Sequence, residues 1–157
     1  MKPRIVLFGA SGTMGFEAFK ELWRRRALYD IVVLLRPSRA NKALMRPYIR
    51  TARVAAANHD APASADLTVI WGDATRYADV ERAIRGADAV LNAMAFISPQ
   101  ADYHPDTAAA VNTTAIGHIV HAIEAQPGGA ERIHLIHTGS VAETGDRSPL
   151  ERVLTGP

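Results

Sequence analysis

An apolar run, Arg4-Ile5-Val6-Leu7-Phe8, leads directly into Gly9-Ala10-Ser11-Gly12-Thr13-Met14-Gly15, and an amphipathic segment follows at once. A strand, a glycine turn and a helix start packed into fifteen residues leave few architectures open. The strand is short and uniformly apolar, as expected for one buried on both faces of a sheet. The glycine turn lets a ligand phosphate approach the backbone, and the helix behind it offers free N–H groups and the positive end of its dipole. That combination implies a bound dinucleotide without saying what is done with it. The glycines fall at three-residue intervals rather than two and then three. No Lys-Ser or Lys-Thr follows them, which argues against a nucleoside-triphosphate loop.

The same grammar repeats along the chain. Apolar runs at residues 4–8, 31–35, 67–70, 89–95 and 133–137 read as five strands. Helical stripes lie between them. Met14, Ala18, Phe19, Leu22 and Trp23 form one. Val80, Ala83 and Ile84 form another, with Thr75 or Asp73 as its N-cap and Gly86 as its stop. A third spans residues 107–125 and ends at Pro127-Gly128-Gly129, and a fourth spans 40–57, where Pro47 predicts a break or kink. Strands alternating with helices imply parallel pairing through crossovers. The predicted fold is α/β: a Rossmann-like, doubly wound parallel sheet of about five strands, with the ligand at the switch point beside the first. Residues 59–66 read as a surface loop, and no internal repeat or boundary divides residues 1–157 into more than one domain.

Composition sets the outer limits. The chain has 157 residues, enough for one real core, and a net charge of +2. No lysine-rich tail or basic–aromatic stripe points to nucleic acid. No cysteine is present, which removes disulfides and thiolate metal sites. The N-terminal apolar run is too short for a signal peptide or a membrane span, so the expectation is a cytoplasmic protein with neither membrane nor nucleic acid as partner.

The end of the second strand chooses the dinucleotide. NAD binders place a carboxylate there, about 20 residues on, for the ribose hydroxyls. Here Arg36 stands 21 positions beyond Gly15, with Arg39 and Lys42 close behind. A guanidinium can pair with a 2′-phosphate that a carboxylate would repel, so NADP is expected over NAD. Arg24-Arg25-Arg26, at the end of the first helix, reads instead as solvated charge complementing the dipole. His118 and His121 share a helical face, whereas His134 and His137 lie three apart on a strand and point to opposite faces. No acidic residue joins them at ligand spacing, and no metal site is expected.

Taken together, these motifs resemble the extended short-chain dehydrogenase/reductase family, and within it the NAD(P)-dependent epimerase/dehydratase group. Gly9 to Gly15 matches the family's Gly-x-x-Gly-x-x-Gly loop, and Arg36 its place of cofactor choice. Trp71-Gly72-Asp73-Ala74 resembles the Gly-Asp element after the third strand, which implies that Asp73 meets the adenine. Asn92-Ala93-Met94-Ala95 stands where the family turns small residues against the cofactor. Asn112 matches the asparagine that orders the active site, and the segment from Thr138 to Asp146 places Ser140 at the catalytic serine. A serine at the carboxyl end of a parallel strand is also well placed to hydrogen-bond a substrate carbonyl oxygen.

One departure stands out. The family's acid/base is a tyrosine with a lysine four positions later. Tyr29, Tyr48, Tyr77 and Tyr103 have Val33, Ala52, Glu81 and Thr107 there instead. The resemblance puts the tyrosine–lysine pair some tens of residues beyond the serine segment. The expectation is therefore the cofactor-binding portion of a reductase, epimerase or dehydratase that acts by hydride transfer on a sugar-nucleotide or other carbonyl or alcohol substrate. Alone, it would have little catalytic power. The competing reading is a non-catalytic NADP-binding sensor or regulatory module. A third is a half-domain whose sheet edge and apolar helix faces are covered by another chain or by self-association into a homo-oligomer.

Overall fold

The computed structural model describes residues 2–57, 66–96 and 100–139. Five parallel strands form one sheet: β1 (Arg4–Phe8), β2 (Asp30–Leu35), β3 (Leu67–Trp71), β4 (Ala89–Asn92) and β5 (His134–His137), in the order β3-β2-β1-β4-β5. The helices are α1 (Thr13–Arg24), α2 (Arg39–Ala57), α3 (Tyr77–Ile84), α4 (Gln100–Tyr103), α5 (Pro105–Ala109), α6 (Ala115–Glu124) and α7 (Gly129–Arg132). A π turn over Ala110–Thr114 joins α5 to α6.

Burial on both faces explains the apolar runs. Leu7, Ile31, Val33 and Leu35 point to one side, where Phe19 of α1 and Met45 and Ala52 of α2 cover them. Val6, Phe8, Val32 and Leu34 point to the other, against Val80 and Ile84 of α3 and Ile119 and Ile123 of α6. The alternation within each strand therefore separates two cores rather than core from water. The chain winds outward from β1 through β2 to β3, then crosses to β4 on the other side of β1. That reversal is the switch point, and it leaves the carboxyl ends of β1 and β4 splayed toward a common crevice.

Four sequence-based expectations are corrected. The apolar run through Ala95 predicted a longer fourth strand, but β4 stops at Asn92. The amide of Ala93 still donates to Phe8 O, at 3.1 Å, but β1 has by then turned at Gly9 and no ladder remains to follow. The N-cap of α3 is Arg76 rather than Thr75 or Asp73, because Asp73 is already engaged in a turn of its own. Pro47 does not break α2. The carbonyl it leaves without an N–H partner is that of Ala43, and both residues are exposed, so water can satisfy it. Buried Met45 and Ala52 hold the helix on the sheet on either side. The helix expected over 107–125 starts at Pro105 and contains the π turn. Gly86 (φ +71°) follows α3 as expected of a left-handed stop. All of the expected 59–66 loop but Asp66 lies outside the described residues.

Candidate functional site

The carboxyl ends of β1, β2, β3 and β4 open into one cleft of about 540 Å³. Gly9, Ser11 and Gly12 form its base. Leu34, Leu35, Arg36 and Asn41 form one side, continued by Gly72 to Thr75. Ala93 to Phe96 form the other, with Asp106, Thr107, Ala110, Val111 and Ala115 above them.

The three glycines of the turn have different duties. Gly9 has φ +86°, and a Cβ there would lie 2.7 Å from Ala93 C. A Cβ on Gly15 would lie 2.0 Å from Gly9 O, so α1 can cross the end of β1 this closely only without a side chain. Gly12 is different: it is exposed, and its Cβ would meet nothing nearer than Gly9 O at 3.4 Å. The Gly12 amide donates to Gly9 O at 2.9 Å, and the Phe16 amide donates to Gly12 O at 2.8 Å. Helix geometry leaves the amides of Thr13, Met14 and Gly15 without an intrahelical acceptor. Gly12 caps α1 with no side-chain bond, and no acidic residue lies in the first turn. The positive end of the helix is therefore offered to an anion from outside the chain.

Arg36 leaves β2 at the lip of the cleft. Its carbonyl accepts the Ser38 amide and the Asn41 side-chain amide, both at 2.8 Å, and the Asn41 backbone amide donates to Ser38 Oγ at 3.1 Å. The turn is thus pinned while the guanidinium stays exposed, with no ion pair among the described residues. Arg39 is exposed in the first turn of α2 and is not part of the cleft lining. On the adjacent element, Asp73 Oδ1 accepts both the amide and the hydroxyl of Thr75, at 2.9 and 2.8 Å, and its own amide donates to Asp79 Oδ2 at 3.0 Å. Asp73 itself lines the cleft.

The opposite wall is held by side chains from elsewhere. Asn112, in the π turn, accepts the Phe96 amide through Oδ1 and donates to Phe96 O through Nδ2, both at 2.8 Å. It acts on the wall rather than lining the cleft. Buried Asn92 accepts the Met94 amide at 3.2 Å. His118 lies 3.3 Å from Ala74 O through Nδ1, and Tyr77 packs against both His118 and His121. Those histidines are occupied in packing, and no group of three metal-ligating side chains occurs among the described residues. Arg24 and Arg25 pair with Glu21 on the surface of α1.

Of the residues singled out from sequence, the structure brings Gly9, Ser11, Gly12, Arg36, Asp73, Ala74, Ala93, Met94 and Ala95 to the cleft. Ala10 is buried beneath it, Thr13, Met14 and Gly15 form the helix start behind it, and Ser140 lies outside the described residues. Sequence reasoning missed Asn41. Its signal was a serine followed three residues later by an amide side chain, the spacing of a capping box.

Comparison with known proteins decides the family. A family model described as male sterility protein, an NAD-binding domain, matches residues 7–156. The chain belongs to that family. It therefore carries an NAD(P)-binding Rossmann domain of the extended short-chain dehydrogenase/reductase type. No match was found among curated proteins. Solved structures agree on the fold. A thiolation-reductase di-domain from an archaeal non-ribosomal peptide synthetase matches with TM-score 0.66 at 18% identity, over 95% of this chain and 30% of its own. A short-chain dehydrogenase/reductase from Saccharomyces cerevisiae matches with TM-score 0.64 at 13% identity, over 89% and 54%. The Bordetella bronchiseptica enzyme WbmH, solved with NAD+, matches with TM-score 0.53 at 18% identity, over 79% and 36%. The family domain described here thus spans between about a third and a half of those structures' lengths. Among the described residues, no helix is long and apolar enough to cross a membrane.

Proposed function

We propose that this domain is the NADP-preferring, dinucleotide-binding portion of a short-chain reductase, epimerase or dehydratase acting by hydride transfer on a carbonyl or alcohol substrate. The observation that carries the preference is Arg36, a guanidinium with no ion pair among the described residues, at the carboxyl end of β2 on the lip of the cleft. The residues present fit the cofactor: the α1 amides and Gly12 receive the pyrophosphate, and Arg36 pairs with the 2′-phosphate. Arg39, one turn of chain away, adds to the same positive field. Asp73 would accept from the adenine amino group, and Ala93, Met94 and Ala95 would line the nicotinamide end. Asn112 holds that wall in place through Phe96. Bound NADPH supplies the hydride, and the resemblance gives Ser140 the hydrogen bond to the substrate oxygen. One of the similar structures contains a reductase domain and another is a short-chain dehydrogenase/reductase, which supports carbonyl or alcohol chemistry.

Titration of the protein with NADPH and NADH tests the proposal, with Arg36→Asp as the control. NADPH should bind at least about 10-fold more tightly, the worth of one charge-assisted pair. Arg36→Asp should erase or invert the ratio. If neither nucleotide binds, the site is not a dinucleotide site. If the unaltered protein prefers NADH, Arg36 has been given the wrong role.

A further inference from the structure

The exposed face of α2 carries a line of cations that runs on from Arg39, beside the cofactor site, well beyond that site. Arg39, Lys42, Arg46, Arg50 and Arg53 are all exposed and recur at three- and four-residue spacing. At 100° and 1.5 Å per residue they fall within an arc of about 80° and extend about 21 Å. The helix contains no acidic residue. None of the five makes an ion pair among the described residues, which sets α2 apart from its neighbours. In α1 and its C-cap, Lys20 pairs with Glu17, and Arg24 and Arg25 pair with Glu21. In α3, Arg82 pairs with Asp79. Like charges at these spacings oppose the helix they sit on. The stripe is thus held against its own repulsion by the packing of the buried face.

We infer that the α2 stripe is a docking surface for an acidic, helical protein partner. Charge complementarity names the sign, and the surroundings name the class. Beside the cations, Ala40, Ala43 and Pro47 form an exposed, uncharged strip that allows a partner helix to come close, as the core of a protein interface requires. Its aromatic residue, Tyr48, is turned inward against Phe19 and Trp23, so no ring is offered for stacking on nucleic-acid bases. No large apolar side chain is exposed on the described part of α2 for insertion into a bilayer. The whole chain has a net charge of only +2, less than the stripe alone carries, so positive charge is concentrated here and the rest of the surface would repel an extended polyanion. Four of the five cations are arginines, the side chain best suited to bidentate pairing with carboxylates.

The test uses a synthetic helical peptide as long as α2, with glutamates at i and i+4 along one face and alanines and leucines beside them. A scrambled peptide of the same composition is the control. Binding is followed by fluorescence anisotropy at about 0.15 M salt, where long-range charge effects are screened. The patterned peptide should bind, and the scrambled one at least about tenfold more weakly. The double variant Arg46→Glu/Arg53→Glu should lose at least about tenfold in peptide affinity while keeping its NADPH affinity, since neither residue lines the cleft. It should also melt about 2 °C higher, because each new glutamate faces cations at helical spacing. Equal binding of the two peptides, or tighter binding of an oligothymidine or of phosphatidylserine vesicles, overturns the inference. So does a lower melting temperature of the variant, which would make the cations part of the fold.

Discussion

The side-chain amide of Asn92 donates to Nδ1 of His137 at 3.0 Å, joining the carboxyl ends of β4 and β5 beside the cleft. An amide nitrogen can only donate, so in this contact the imidazole accepts at Nδ1. Asn92 Oδ1 meanwhile receives the Met94 amide, and Asn92 O receives the amide and hydroxyl of Thr138, at 3.0 and 3.1 Å. One buried residue thus fixes both this wall of the cleft and the start of the segment that leads to Ser140. Replacing Asn92 with the near-isosteric leucine leaves the Met94 amide unsatisfied. Asn92→Leu should cost about 1–3 kcal/mol in urea unfolding and weaken NADPH binding. His137→Ala should cost less than about 1 kcal/mol, because His137 is exposed and water can replace it. Equal losses from the two variants would mean that the wall does not depend on Asn92.

The glycine turn separates a folding role from a binding role. Gly15→Ala drives a methyl group into Gly9 O and should cost at least about 3 kcal/mol or prevent folding. Gly12→Ala has room and should keep the fold to within about 1 kcal/mol. Its methyl group projects where the pyrophosphate must approach, so NADPH affinity should fall at least about tenfold. Melting curves with a cofactor titration check both. A Gly12→Ala protein that binds NADPH normally would remove the phosphate from that end of α1.

What could be read in the sequence was what is local. The glycine turn is encoded in seven consecutive residues, and each buried strand announces itself by an apolar run. Arg36 was legible because it sits one residue past such a run. Asn112 could be matched to a family position, but its grip on Phe96 spans 16 residues and depends on a π turn that inserts one residue into a helix with no local mark. The end of β4 was overread for a related reason. Ala93, Met94 and Ala95 are apolar because they face the cleft, and periodicity cannot tell that surface from a sheet face. The α2 cations, without ion pairs among the described residues, were likewise invisible until the neighbouring helices showed what pairing looks like in this fold.

The amide clamp of Asn112 predicts a local effect without global unfolding. Both of its hydrogen bonds end on the backbone of Phe96, and Asn112 itself is exposed. Asn112→Ala should speed hydrogen exchange at the Phe96 amide by about tenfold or more while the amides of β1 and β2 keep their protection. NADPH affinity should fall by a smaller factor, since the wall is loosened rather than removed. Uniform loss of protection across the sheet would show that the asparagine supports the whole domain instead.

Pro47 offers a stability prediction of the opposite sign. It sits inside α2, deprives Ala43 O of its helical donor, and has both neighbouring turns anchored by buried side chains. An alanine in a helix interior is favoured over proline by about 3 kcal/mol in isolation, less about 0.4–1 kcal/mol for the freedom the unfolded chain regains. Part of the remainder is lost because Ala43 O is exposed and already open to water, and Thr51 Oγ1 already bonds Pro47 O at 3.1 Å. Pro47→Ala should therefore raise stability by about 1–2 kcal/mol, seen as a higher urea midpoint at unchanged slope. A lower midpoint would mean that the proline itself helps to hold α2 on the sheet, with the burial of Met45 and Ala52 dependent on it.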